Sequence, residues 1–110
     1  MRFDVEDVNG VSVIRIPVQM LDANNCEDFK RDISSSLTEN DRIVFDLSKV
    51  LFIDSSGCGA LLSCLKTVRN NEGKLKLCRI SNPVHTIFDL LHFYSVFNIA
   101  NTRKEAVESF

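Results

Sequence analysis

Three polar residues, Asp54, Ser55 and Ser56, stand between an apolar run and two closely spaced glycines, Gly57 and Gly59. Upstream, Ile43, Val44, Phe45 and Leu47 are strand formers in a run too short for a helix, and Val50 to Ile53 adds a second apolar patch. Downstream the period changes: Leu61, Cys64, Leu65 and Val68 recur at helical spacing. The polar cluster therefore lies at a strand-to-helix junction, where the first N–H groups of the helix have no intrahelical acceptor. Serine and aspartate satisfy such groups as caps. A phosphate in the same place would meet the same N–H groups and the positive end of the helix dipole. Capping and phosphate chemistry both suit these residues, and neither excludes the other.

Other reactive side chains are less organised. His85 and His92 lie seven residues apart with no array of cysteines, histidines or carboxylates around them, so no metal site is expected. Ser55 is not in the Gly-x-Ser-x-Gly setting of a hydrolase nucleophile, and no catalytic residue is assigned. An aspartate-phosphorylated receiver would carry paired acidic residues after its first strand, where this chain has Asn9-Gly10. Cys58, near a helix start, has two readings: a thiol of lowered pKa, or a small buried hydrophobe, which is the preferred one. Lys66, Arg69, Lys74, Lys76 and Arg79 form a mild basic concentration that reads as a solvated face.

These side chains need a scaffold, and 110 residues suffice for one domain, residues 1–110, with a single core. Hydrophobic residues make up 45% and charged residues 25%, an ordinary globular balance. The net charge of −2, with both signs interspersed, points to neither nucleic acid nor an anionic membrane as a partner. No apolar run reaches the roughly 18 residues of a spanning helix. The first residues, Met-Arg-Phe-Asp-Val-Glu-Asp, lack the apolar core of a signal peptide, and a cytoplasmic location is expected.

Along the chain, Phe3, Val5 and Val8 begin a strand, Asn9-Gly10 marks a tight turn, and Val11 to Val18 returns antiparallel, stopping near Pro17. A helix from about Asn24 to Leu37 should bury Cys26, Phe29, Ile33 and Leu37. After the central strand and its helix, Gly73 is the expected helix stop. Leu75 and Leu77 form the next strand, with Lys74, Lys76 and Arg79 turned away from the core. Ser81-Asn82-Pro83 starts a helix bearing Val84, Ile87, Phe88 and Leu91. Phe93 to Ile99 supplies a short last strand, and Thr102 caps a terminal helix with Ala106, Val107 and Phe110. The order predicts an α/β domain with a four- to five-stranded mixed sheet, an antiparallel first hairpin followed by parallel strands, and about four helices. Ser55 then falls at the carboxyl end of a parallel strand, where such sheets place function.

The stretch Phe52-Ile53-Asp54-Ser55-Ser56-Gly57-Cys58-Gly59 resembles the signature of the anti-sigma-factor antagonists of the STAS domain family, and the order of elements agrees along nearly the whole chain. The resemblance implies a binding switch without catalysis and without a cofactor. Its partner would be an anti-sigma factor that is also a serine kinase of the GHKL type. Phosphorylation, carried over to Ser55, would end the binding, and a serine/threonine phosphatase would restore it. Asp54 would support the site, Ser56 and Gly57 would shape it, and Ser63, Lys66 and Thr67 on the following helix would extend the docking surface. Asp22 matches the aspartate of the family's Gly-x-Leu-Asp segment and would join the partner-binding residues, although Gln19-Met20-Leu21-Asp22 lacks the glycine. Read from local chemistry alone, Asp22 is a helix cap or an N-terminal charge. Two other outcomes share the fold: a STAS module of a transporter or lipid-transport complex, and a partner switch that governs secretion or motility.

Cys26, Cys58, Cys64 and Cys78 show no Cys-x-x-Cys spacing and lie in apolar contexts, which predicts reduced thiols. Thiol titration of denatured, unreduced protein should find four free thiols; two or fewer would mean a disulfide.

Overall fold

The computed structural model describes residues 1–110. Strands β1 (Asp4–Val8) and β2 (Val11–Arg15) form an antiparallel hairpin. Asn9 and Gly10 at its tip both have positive φ (54° and 81°), the combination a two-residue turn needs to follow the strand twist. The second strand ends at Arg15, short of the expected Val18. Pro17 offers no N–H to the ladder, and the chain leaves the main sheet there.

Next come β3 (Met20–Leu21), α1 (Cys26–Glu39), β4 (Arg42–Asp46), β5 (Phe52–Ile53), α2 (Ser55–Asn70), β6 (Lys74–Cys78), α3 (Asn82–Leu90), β7 (Asn98–Ala100) and α4 (Arg103–Glu108). The main sheet has the order β1-β2-β4-β6-β7, parallel from β2 onward. A separate two-stranded ladder pairs β3 with β5, Met20 opposite Phe52 and Leu21 opposite Ile53. This is the expected mixed five-stranded sheet with four helices; the short ladder was not anticipated. The stretch expected as a last strand begins instead with a 3₁₀ turn, Phe93–Ser95, and only residues 98–100 pair with β6. No helix is long and apolar enough to cross a membrane.

One face of the sheet carries the main core. Ile14, Ile43, Phe45, Leu75 and Leu77 pack there against Phe29, Ile33 and Leu37 of α1, Leu61, Leu65 and Val68 of α2, and Val84 and Phe88 of α3. The buried face of α1 is the predicted one. Phe29 stands edge-on to both Phe3 and Phe45, with ring centroids 5.9 and 6.1 Å apart, so it ties the chain's first residues to the central strand.

The other face is covered by α4 over a smaller apolar cluster of Val11, Val13, Val44, Cys78 and Ala106. This changes the reading of Lys76, which is only 8% exposed and not solvated. Its ammonium donates to the carbonyl and hydroxyl oxygens of Ser109, both at 2.8 Å, and lies 4.4 Å from the centre of the Phe110 ring. Desolvation lowers the Lys76 pKa, with Lys74 adding to the effect. Two helix ends also differ from expectation. Glu72, not Gly73, takes the left-handed conformation after α2, while Gly73 is held close to the Asp41 carbonyl. The Ser81 hydroxyl donates to the Val50 carbonyl at 2.8 Å instead of capping α3. Thr102 does cap α4, accepting the Glu105 N–H at 3.1 Å.

Asp46, at the end of β4, fastens α4 to the sheet. Its fully buried carboxylate accepts the Ser48 N–H at 2.9 Å, Arg103 Nε at 2.5 Å and Arg79 Nη1 at 3.3 Å. Burial works to raise its pKa, but the Ser48 N–H and the Arg103 guanidinium outweigh burial and hold it below the ordinary carboxylate value. Because folding lowers this pKa, the stabilisation is complete above the unfolded value near pH ~4 and is lost as pH falls through the folded one. Asp46→Asn should therefore cost about 2 kcal/mol at neutral pH, and the gap from wild type should narrow below pH ~4. Urea melts at pH 7 and pH 3 measure both effects; a gap that stays constant would exclude the carboxylate as the cause.

Candidate functional site

The junction of β5 and α2 is organised by Asp54. It is the N-cap of α2, with extended backbone (φ −100°, ψ −174°), and its Oδ1 accepts the Gly57 N–H at 2.8 Å. Its other oxygen, Oδ2, accepts the Ala23 N–H at 3.0 Å, from a loop 31 residues away in sequence. The Asp54 N–H itself donates to the Leu21 carbonyl at 3.3 Å. The Gly57 bond first, then those from Ala23 and Ser56, holds the Asp54 carboxyl below its usual range. One carboxylate thus caps a helix and binds the loop that leads into α1.

Gly57 makes this approach possible. A methyl group there would stand 2.1 Å from the Leu21 carbonyl oxygen and 2.7 Å from Ile53 Cγ1. The first turn of α2 rests directly on the backbone of β3, and only glycine fits. Gly59, two residues on, has no such neighbour: a methyl group would meet nothing within 4 Å.

Ser55 opens α2 and is exposed. The cap comes from Asp54, so neither Ser55 nor Ser56 is the side chain that closes the helix end. Ser56 is half-buried beside it. Ser63 and Lys66 are exposed farther along α2; Thr67 is half-buried, its hydroxyl donating to the Ser63 carbonyl at 3.1 Å. Cys58 is buried, and burial, followed by the charge of Asp54, pushes its pKa up to about 11, which favours the inert-hydrophobe reading over the reactive thiol. Burial drives Cys64 and Cys78 to about 12.

Asp22 is only 8% exposed. Its Oδ1 accepts the Asn24 N–H at 3.0 Å and its carbonyl accepts the N–H groups of Asn25 and Cys26, so its local role is to start α1. Asn25, which the sequence reading did not single out, holds the same loop from the other side. Its Oδ1 accepts the Asp22 N–H at 3.0 Å and its Nδ2 donates to the Met20 carbonyl at 2.7 Å. Asparagine just before an apolar helical run was the available signal. Met20 and Phe52, opposite each other in the β3–β5 ladder, are 51% and 46% exposed and place an apolar surface just before Asp54. His85 is engaged with Tyr94, stacked on its ring with centroids 5.7 Å apart and hydrogen-bonded through Nδ1 to its hydroxyl.

The model of the STAS domain matches residues 2–106. This chain belongs to the STAS domain family. It is similar to the anti-sigma F factor antagonist of Paenibacillus polymyxa, 23% identical over 109 residues that cover 97% of this chain and 92% of that one. An anti-sigma-factor antagonist (STAS) domain protein from Planctomyces limnophilus has the same fold, with a TM-score of 0.86 at 23% identity over 97% of this chain and 96% of its own. So does the Bacillus cell fate determinant SpoIIAA in its phosphorylated form, with a TM-score of 0.69 at 23% identity over 98% of both chains.

The contact at Gly57 is the most demanding in the site. Gly57→Ala should destabilise the protein by ~3 kcal/mol, because the backbone oxygen of Leu21 cannot move aside cheaply. The shift in urea midpoint measures it; a loss below ~1 kcal/mol would mean that α2 and β3 separate freely.

Proposed function

We propose that this STAS domain, residues 1–110, is an anti-anti-sigma factor controlled by phosphorylation of Ser55. The observation that carries the reading is that Ser55 is exposed at the N-terminus of α2 while its neighbour Asp54 supplies the cap. The hydroxyl can therefore change its chemistry without removing a bond on which the helix depends. In the unphosphorylated state the chain binds an anti-sigma factor that is also a GHKL-type serine kinase and frees the sigma factor. The docking surface comprises Asp54, Ser55 and Ser56, with Ser63, Lys66 and Thr67 along α2, while the buried Gly57 and Asp22 shape the turn and the loop beneath it. In phosphorylation, Ser55 Oγ attacks the γ-phosphorus of ATP, the bond from that phosphorus to the leaving oxygen of ADP breaks, and the hydroxyl proton passes to a base of the kinase. A serine/threonine phosphatase reverses the modification. The chain has no catalysis of its own and acts in the cytoplasm. These names and the similarity to a protein solved in a phosphorylated form support the reading.

Electrostatics supports a surface switch. A phosphoryl group brings roughly 1.5 to 2 negative charges. In the free protein the positive end of α2 offsets part of that charge. In a complex the same charge would be desolvated beside Asp54, and like charges juxtaposed in an interface cost several kcal/mol.

Incubation with a GHKL-type serine kinase of the same organism and ATP should add one phosphate, on Ser55. Tandem mass spectrometry that places it on Ser56, or finds none with any such kinase, would overturn the assignment. Ser55→Ala should keep its fold and its binding, whereas Ser55→Asp should melt within a few degrees of wild type and bind the kinase at least tenfold more weakly. Equal affinities for Ser55→Asp and wild type in calorimetric titration would sink the switch.

A further inference from the structure

Two glycines occupy the first turns of α2, and only one has a neighbour that demands it. Gly57 lies against the backbone of β3, but Gly59 faces solvent, and a methyl group on it would meet no atom of the protein within 4 Å. Nor does backbone geometry call for glycine: Gly10 is the one glycine with positive φ. Gly59 is the fifth residue of a sixteen-residue helix, well inside it. Glycine is poorly suited to a helix interior because it gives up the most backbone freedom on folding. The fold of the free chain therefore disfavours the residue that is there.

The surroundings of Gly59 point to what would favour it. Ser55 lies one turn earlier on the same face, about 6 Å away at this spacing. Ser63 follows one turn later on that face, beside Leu62, which is 39% exposed. This inference rests on the proposal that Ser55 accepts a phosphoryl group. Transfer requires the γ-phosphorus to come within about 3 to 3.5 Å of Ser55 Oγ, with ATP held by the kinase as it does so. Kinase groups that hold the nucleotide must then lie against the first two turns of α2. We infer that Gly59 is a close-approach point for the main chain of the kinase, where the missing side chain lets the partner's backbone rest directly on α2 and Leu62 supplies the adjoining apolar contact. Gly59 is thus a specificity residue of the docking surface, with no part in the internal packing of the domain.

Stability and binding should move in opposite directions. Gly59→Ala should raise the melting temperature by ~4 °C, since alanine is the better helix former and nothing blocks its methyl group. The same variant should bind the Ser55-phosphorylating kinase, loaded with ADP and magnesium so that no transfer occurs, about tenfold more weakly than wild type. Gly59→Leu should remain folded and bind at least a hundredfold more weakly. Ser35→Ala, on the exposed side of α1, should leave that affinity unchanged. Wild-type affinity in both Gly59 variants would overturn the inference while Ser55 phosphorylation stood. A lower melting temperature for Gly59→Ala would also overturn it, because the glycine would then serve the fold. Wild-type protein that no GHKL-type kinase phosphorylates on Ser55 would overturn this inference together with the reading beneath it.

Discussion

The two oxygens of the Asp54 carboxylate receive N–H groups from separate parts of the chain, Gly57 within α2 and Ala23 in the loop before α1. That shared acceptor holds the candidate rim in one arrangement. Around it, Leu21 lies under the first turn of α2 so closely that residue 57 must be glycine. Asn25 and Asp22 then fold the intervening loop back on itself through their side-chain and backbone bonds. Each bond is modest alone, about 1 kcal/mol net and more where a charge takes part. Together they specify where Ser55 sits, and none of them uses the Ser55 hydroxyl.

In the proposed switch this division of labour would separate stability from signalling. A residue that both capped its helix and carried a regulatory phosphate would couple every modification to fraying of the helix end. Here the cap belongs to residue 54 and the exposed hydroxyl to residue 55. Phosphorylation in the proposed switch would therefore add charge to a surface whose backbone is already held from beneath. The main core, with Phe29, Phe45 and Phe88 fully buried, lies behind that rim.

The two sides of the sheet are held by different physics. On the α1, α2 and α3 side, apolar burial dominates, with the aromatic rings of Phe29 and Phe45 edge-on. On the α4 side a six-residue helix has little apolar surface to offer, and charged groups complete the attachment: Asp46 receives Arg103 and Arg79, and Lys76 reaches Ser109. A short helix is marginal by itself, so it forms because tertiary contacts hold it. Arg103 also meets Glu6 at 3.2 Å, which brings the opening hairpin into the same charge network.

From sequence alone, hydrophobic periodicity determined the buried face of α1, the apolar strand β4 and the helix that follows Asp54; Asn9-Gly10 determined the hairpin; and Asp54-Ser55-Ser56-Gly57 marked the rim. Each is a local rule, because helix and strand periods and turn conformations are set by residues within a few positions of one another. Tertiary structure decided which polar residue caps α2, because Asp54 and the two serines are all competent caps and only the backbone geometry selects among them. It also decided that Gly57 is sterically required and Gly59 is not, that Lys76 is covered, and that β3 and β5 pair away from the main sheet. These depend on groups some 30 residues apart meeting in space, such as Ala23 with Asp54 and Lys76 with Ser109, and no spacing along the chain encodes such a meeting.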